Sequence, residues 1–129
     1  MTASSLGPPD EELVSIEVVE SGPTVCVTAV GEIDSTSAPL LRQRLDAVLE
    51  GEVRELTVDL GQVTFLDSAG LCVLAGTHRR ALGQDVRMRV LASSRAVIRP
   101  LQITGLWELL HAEQVDGNAA AIPAQQGVA

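Results

Sequence analysis

Aromatic side chains are nearly missing from this sequence, which has one tryptophan, one phenylalanine and no tyrosine among 129 residues. Sites that stack bases or sugars use aromatic platforms, and the sequence offers little material for one. The core must be built from Val, Leu, Ile and Ala instead. Apolar residues still make up 46% of the chain, too many for a disordered protein. A chain of this length is typical of one domain, which buries about two-thirds of its unfolded surface.

Positive charge is also scarce, because 9 basic residues stand against 17 acidic ones and the formal net charge is −8. Such a field repels nucleic acids and anionic membrane surfaces, which are bound through basic stripes. A basic protein surface is a better partner, since complementary charge speeds encounter. No apolar run reaches the roughly 18 residues of a membrane span, and no leader pattern opens the chain. We therefore expect a cytoplasmic protein with neither a nucleic acid nor a membrane as a direct partner.

Metal-binding and redox motifs are lacking as well. The two cysteines, Cys26 and Cys72, lie 46 positions apart without a CxxC pattern or a nearby histidine pair. This spacing indicates neither a metal site nor a disulfide scaffold, so we predict two reduced, unbridged thiols. No G-x-G-x-x-G pattern follows a predicted strand, and Gly61 stands alone. We expect no metal and no cofactor.

A serine hydrolase is the enzyme class that Ser68 could suggest, but the pattern around it does not fit. The nucleophile elbow needs a glycine two residues before the serine, and Leu66 occupies that position. His78 lies ten residues along the same predicted helix, roughly 15 Å away. His111 is not excluded by its spacing, but no acid that would orient it is identifiable. We predict no catalytic residues and a protein that is not an enzyme.

Periodicity divides the chain into a single domain and two tails. Residues 1–12, with two prolines and three acids, predict a disordered tail, and residues 117–129 predict a second, flexible one. Between them, residues 13–116 alternate between strand and helix periods. The predicted strands are 13–19, 24–30, 54–60 and 86–92, and the predicted helices are 36–50, 68–82 and 95–104.

Several details of this pattern are specific enough to test. The first helix should bury Ala38, Leu41, Leu45, Val48 and Leu49, and the second Leu71, Leu74, Ala75 and Leu82. The strand 24–30 is almost continuously apolar, which is typical of a strand covered on both faces. Pro100 should kink or loosen the third helix. Residues 106–115 favour a short extended piece followed by a helical turn. The element order predicts an α/β fold with a mixed four- or five-stranded sheet and helices packed on it.

Three segments in this order resemble one family. They are Gly31-Glu32-Ile33-Asp34, then Val63-Thr64-Phe65-Leu66-Asp67-Ser68-Ala69-Gly70-Leu71, and then Ser94-Arg95-Ala96-Val97 leading to Leu101-Gln102-Ile103-Thr104-Gly105-Leu106. Together they resemble the STAS domain of bacterial anti-sigma factor antagonists, over about residues 13–115. Each motif is weak alone, but the three with matching spacing are specific.

The resemblance implies a protein switch. It implies that Ser68 is phosphorylated by an anti-sigma factor with serine kinase activity, that the unmodified chain binds this partner and releases the sigma factor, and that a serine phosphatase acts as a second partner. The residues it implies for partner binding are Asp34, Asp67, Ser68, Ala69 and Gly70. Many relatives carry Ser or Thr where this chain has Ala69, so here only one hydroxyl of the turn is available. Gly70 is expected to let a kinase backbone come close.

Each of these residues also has a plainer interpretation. Ser68 fits an N-cap of the second helix, and Asp34 fits an Asx-type turn before the first. Phe65 and Leu66 are a partner-facing patch or part of the core, and we favour the core. The alternative function is a non-phosphorylated STAS subunit of a transport or signalling complex, because such subunits keep a similar turn.

Overall fold

The computed structural model describes residues 14–116, and within them the chain forms one five-stranded sheet with four helices. The predicted tails, residues 1–12 and 117–129, lie outside the described residues, as does residue 13. The strands are β1 (Val14–Ser21), β2 (Thr24–Ile33), β3 (Glu55–Leu66), β4 (Arg87–Ala92) and β5 (Glu113–Gln114). The helices are α1 (Ala38–Leu49), α2 (Ser68–Gly83), α3 (Arg95–Ile103) and α4 (Leu106–Leu109).

The sheet is mixed, and its strands lie side by side in the order of the sequence, β1-β2-β3-β4-β5. Strands β1 and β2 form an antiparallel hairpin, and every later neighbour pair is parallel. The hairpin turns at Gly22, whose φ of 63° is readily adopted by glycine. The predicted α/β class with a mixed four- or five-stranded sheet is confirmed, and the number of strands is five.

Helices α1 and α2 cover one face of the sheet. Each connects adjacent parallel strands in the same direction, and right-handed crossovers then place both on one side. The two helices also pack against each other. All five apolar residues predicted to face inward from α1 are buried. The sheet meets them with in-register buried rows, such as Val27, Val58 and Val90.

The opposite face of the sheet, which we call the open face, corrects the prediction for β2. Val25, Val27 and Ala29 are buried against the helices, whereas Val30 on the other side is 38% exposed. The apolar run therefore does not indicate a strand covered on both sides. Cys26, half-buried on this face, is a free thiol whose pKa is raised by burial, and Cys72 is a free thiol exposed on α2.

Helix α2 buries a different stripe from the one predicted. Leu74 is buried as expected, but Leu82 is 64% exposed, and Thr77 and Ala81 lie in the interior instead. Position 82 falls one residue beyond the buried stripe that ends at position 81, so its side chain points into solvent. The prediction for Leu82 was wrong because it relied on the apolar character of the residue alone.

The carboxyl-terminal part departs from the prediction in order. The helical turn α4 comes first and the two-residue strand β5 follows it, the reverse of the predicted order. Gly105, with φ of 81°, ends α3 and starts α4 directly, which leaves no extended piece between them. Helix α3 nevertheless runs past Pro100, whose carbonyl accepts hydrogen bonds from the backbone N–H and side-chain hydroxyl of Thr104. No helix within residues 14–116 has the length and apolarity needed to cross a membrane.

Candidate functional site

The turn between β3 and α2 is fixed by Asp67. This residue is the N-cap of α2, and its Oδ1 accepts hydrogen bonds from the backbone N–H of Ala69 at 2.9 Å and of Gly70 at 3.3 Å. Its own N–H donates to the carbonyl of Ile33 at the end of β2, at 3.2 Å. A carboxylate suits a helix amino terminus, where unpaired N–H groups and the helix dipole favour negative charge. The cap interpretation of Ser68 is therefore wrong, because Asp67 fills that role.

Ser68 is the first residue of α2 and lies at the surface. Among the hydrogen bonds within residues 14–116, none uses its Oγ. The hydroxyl is thus held on an ordered turn without a structural task of its own. His78, nearly three turns along the same helix, is too far from Ser68 to activate it.

Gly70 lies beneath this surface and is buried. A Cβ atom at this position would collide with the side chain of Leu66 and would lie 3.0 Å from Cγ2 of Ile33. The close approach that this glycine permits is therefore that of the protein's own core. A close approach of a kinase backbone to Gly70 stays a prediction.

Asp34 builds the second turn of the site, after β2. Its Oδ1 accepts hydrogen bonds from the N–H of Thr36 at 2.9 Å, the N–H of Ser37 at 3.1 Å and the hydroxyl of Ser37 at 3.3 Å. The N–H groups of Ser37 and Thr36 stabilise the charged form and hold the pKa of Asp34 below its usual 3.8. The Asx-turn interpretation is confirmed, and a contact with a partner stays a prediction.

Ser37 is a further member of this turn that the sequence analysis did not identify. It is buried, its hydroxyl donates to the carbonyl of Glu32 at 2.8 Å, and it accepts from the N–H of Asp34 at 3.0 Å. Helix α1 consequently begins at Ser37 without a side-chain capping bond. In the sequence, the signal for this role is that Ser37 stands three residues after Asp34, which follows a strand.

The structure brings the two turns together. Ile33 and Leu66 are paired at the ends of the neighbouring parallel strands β2 and β3, so Asp34 and Asp67 follow at the same edge of the sheet. Carboxyl ends of parallel strands are common locations for binding sites in α/β folds. Of the five predicted residues, Asp34, Asp67 and Ser68 contribute polar groups to this edge. Ala69 is partly buried against the core.

Phe65 is the residue at this edge whose placement was predicted wrongly. Leu66 is 3% exposed and belongs to the core, whereas Phe65 is 44% exposed on the open face. The predicted end of the strand at residue 60 was also wrong, because β3 continues to Leu66 through two shifts in its register with β2. These shifts interrupt the alternation of inward and outward side chains along β3.

The opposite end of the sheet has a groove of about 640 Å³, lined by both histidines and by Glu55, Leu82, Met88 and Arg89 among others. Burial and the nearby His111 lower the pKa of His78. None of the predicted site residues lines this groove. Within residues 14–116 there is no cluster of three or more His, Cys, Asp or Glu side chains suited to a metal ion.

Comparison with known proteins gives consistent matches. The STAS domain profile matches residues 15–118 of the chain. The anti-sigma-B factor antagonist of Bacillus subtilis is 32% identical over 97 residues, which cover 75% of this chain and 88% of that protein. Among solved structures, an anti-sigma factor antagonist from Mycobacterium paratuberculosis has a TM-score of 0.75 and 32% identity, covering 88% of this chain and 95% of its own.

A more distant structure shares the fold alone. The Bacillus cell fate determinant SpoIIAA in its phosphorylated form superposes with a TM-score of 0.65 at 19% identity, covering 85% of this chain and 99% of its own. The five-stranded sheet with its helices is therefore an arrangement that other solved chains adopt at low sequence identity.

Proposed function

Since this chain belongs to the STAS domain family of anti-sigma factor antagonists, we propose that its unmodified form binds an anti-sigma factor with serine kinase activity. This binding releases the sigma factor held by that partner. Phosphorylation of Ser68 abolishes the binding, and a serine phosphatase restores it. The family is regulatory rather than enzymatic, and the exchange we propose is a cytoplasmic one between proteins.

The observation that carries the proposal is the state of the Ser68 hydroxyl. It is exposed on the first residue of α2 and takes part in none of the hydrogen bonds that hold the turn. A modification of this hydroxyl therefore breaks none of the hydrogen bonds that hold the turn. In the transfer step, Oγ attacks the γ-phosphorus of ATP, the bond to the β-phosphate oxygen breaks, and ADP leaves. The serine proton passes to a base, which we assign to the kinase.

The cap arrangement explains why the phosphate would act at the surface. Helix amino termini favour anions, but the N–H groups of Ala69 and Gly70 are already bonded to the Asp67 carboxylate. A phosphoryl group of charge about −1.5 to −2 would therefore stand beside a second negative charge and face solvent. In water such charges are screened, so the fold should tolerate them. The similar fold of SpoIIAA exists in a phosphorylated form, which supports this expectation.

At a protein interface the same phosphate is costly. It must be desolvated or must face another group, and both terms reach several kcal/mol. A loss of about 2.8 kcal/mol already weakens affinity a hundredfold. A surface that binds when neutral and fails when phosphorylated needs no change of fold.

The test combines modification with binding. Purified candidate anti-sigma factors with ATP should place a phosphate on Ser68, located by mass spectrometry. In calorimetric titrations against the anti-sigma factor that binds the wild type, Ser68→Ala should bind persistently and Ser68→Asp about tenfold or more weakly, since one charge imitates a phosphate only in part. Ser21→Asp, an exposed serine at the hairpin on the other end of the sheet, is the matched control and should bind like the wild type.

Two results together would contradict the proposal. These are equal affinity of wild type and Ser68→Asp, and no phosphate on Ser68 with any candidate kinase. The chain would then fit a passive STAS subunit of a transport or signalling complex, which contributes the same surface without a switch.

A further inference from the structure

Phe65 faces solvent because of a specific irregularity in β3. Gly31 is paired with Val63, but the next residue of β2, Glu32, is paired with Phe65, so Thr64 is an extra residue on β3. Val63 is buried, and strict alternation from it would turn Phe65 into the core and Leu66 outward. The bulge reverses these two positions. Gly31 has φ of 116°, and its carbonyl accepts a hydrogen bond from the Thr64 hydroxyl at 3.4 Å.

Single exposed apolar residues are ordinary on protein surfaces. This one is different, because a bulge directs the only phenylalanine of the chain outward while the smaller Leu66 fills the core. Bulges of this kind re-aim side chains and are frequent beside functional sites. The outward position of Phe65 therefore indicates a binding surface.

The surroundings of Phe65 indicate what that surface fits. Val30 lies on the same face two residues before Glu32, and it is 38% exposed. Glu32, directly opposite Phe65, and Glu17, on the same face of β1, form none of the ion pairs found within residues 14–116. An apolar centre with an acidic rim is complementary to an apolar pocket edged by Arg or Lys.

This surface is continuous with the switch turn. Ser68 follows Phe65 by three positions, a distance of at most about 11 Å along the chain. A standard interface is wide enough to include both. We propose that Phe65 is the apolar anchor of the interface whose rim carries Ser68, and that it inserts into an apolar, basic-rimmed pocket of the anti-sigma factor. This inference rests on the proposed function and adds the part of the partner that is recognised.

The test compares two exposed apolar side chains. Phe65→Ala should weaken binding to the anti-sigma factor used above by about tenfold to thirtyfold, as expected for a central aromatic anchor. Leu82→Ala is the control, because Leu82 is 64% exposed but lies in the last turn of α2, roughly 20 Å from Ser68. It should bind like the wild type. Both variants should keep melting temperatures close to that of the wild type, since both side chains are at the surface.

Two further variants guard against a trivial loss of folding. Phe65→Leu keeps apolar bulk and should recover part of the affinity. Glu32→Lys removes rim charge without touching the core, so it should slow association and weaken its dependence on salt. A photo-crosslinking residue at position 65 should capture the anti-sigma factor, and the same residue at position 82 should not.

Different results would refute the Phe65 anchor and the proposed function separately. If Ser68→Asp loses binding while Phe65→Ala binds like the wild type, the anchor is refuted and the switch stands. If Phe65→Ala dissociates a dimer of this chain but leaves anti-sigma binding intact, the face serves a second copy and the anchor is again refuted. If the wild type binds no anti-sigma factor at all, the proposed function fails, and the anchor fails with it.

Discussion

At the residue scale, the turn before α2 gives each of its members a separate task. Asp67 caps the helix, Ser68 offers a hydroxyl without structural partners, and Gly70 admits the core beneath them. This division means that the group to be modified is held firmly by groups that are not modified. A partner can then recognise one chemical change on an otherwise constant surface.

Gly70→Ala should destabilise the protein by about 1–3 kcal/mol, the usual cost of overpacking. The added methyl group would press on Leu66, which is buried and has little room to move. Chemical denaturation measures the free energy of unfolding directly. Gly76→Ala is a matched control in the same helix, because a Cβ there meets nothing within 4 Å. Since alanine is the better helix former, that variant should be neutral or up to about 1 kcal/mol more stable. Equal effects of the two variants would contradict the packing role of Gly70.

Asp34 should make the protein sensitive to acid. Its pKa is lowered in the folded state by N–H groups of its turn, so its stabilising effect is present above the usual value of 3.8 and is lost as pH falls through the lower folded value. Asp34→Asn keeps an acceptor oxygen but has no charge to lose. The stability difference between wild type and Asp34→Asn should be constant from about pH 5 to 8 and should shrink below about pH 4. Urea titrations at a series of pH values check this, and a difference independent of pH would show that the carboxylate charge is not used.

The roles of these residues were predictable to different degrees. An aspartate after a strand end and before a helix indicates a turn, so the Asx turn of Asp34 could be foreseen. The sequence pattern predicted Ser68 as the cap of α2, whereas the structure has Asp67 in that role. The neighbours of Gly70 could not be foreseen, because they come from β2 and from the end of β3, and one-dimensional patterns do not give distances between elements.

At the element scale, β3 shows the limit of predicting structure from the hydrophobic periodicity of the sequence. The inward face of α1 was predicted in full, because a 3.6-residue period continues through the whole helix. Strand β3 begins with the same clarity, but its register with β2 shifts twice beyond position 59. A bulge adds one residue without leaving a signal in the hydrophobic pattern, so the residues from 61 to 66 looked like a loop.

Deleting Thr64 tests the bulge itself. Without the extra residue, Phe65 would face the core and Leu66 the solvent, unless the strand loses its pairing altogether. We expect a loss of about 2–5 kcal/mol, the range found when a buried leucine is removed. Thr64→Ser keeps the length and the hydroxyl, and should cost less than about 1 kcal/mol. Urea denaturation of both variants decides the matter, and a deletion variant as stable as the wild type would show that the bulge is dispensable for packing.

At the scale of the whole molecule, the fold is one-sided. Helices α1 and α2 cover one face of the sheet, and the other presents Val19, Val30 and Phe65 to solvent. The class of fold followed from element order alone, whereas the open face did not, because an apolar strand reads the same whether one or both of its faces are covered. Only the three-dimensional structure shows which face of the sheet is left uncovered.

The domain should be complete without its predicted tails. Within residues 14–116, the buried core extends from Val14 to Leu110, and the composition of residues 1–10 and 118–129 offers no anchor to the domain. A chain shortened to residues 11–117 should melt at nearly the same temperature as the full chain, because it keeps the whole buried core of residues 14–116. Calorimetric melting of both chains is the measurement. A drop of several degrees would mean that one of the removed segments docks on the domain.

The agreement between strand order and sequence order has a consequence for synthesis. Each strand pairs with the one made just before it, so no later strand must be inserted between two that are already joined. Chains emerge from the ribosome amino terminus first, so the strands appear in the order in which they lie in the sheet. The hairpin of β1 and β2 can serve as a template on which β3 and then β4 are laid as they appear. We therefore expect the turn that holds Ser68 to form once β2 and β3 have paired, before β5 is added at the far edge of the sheet.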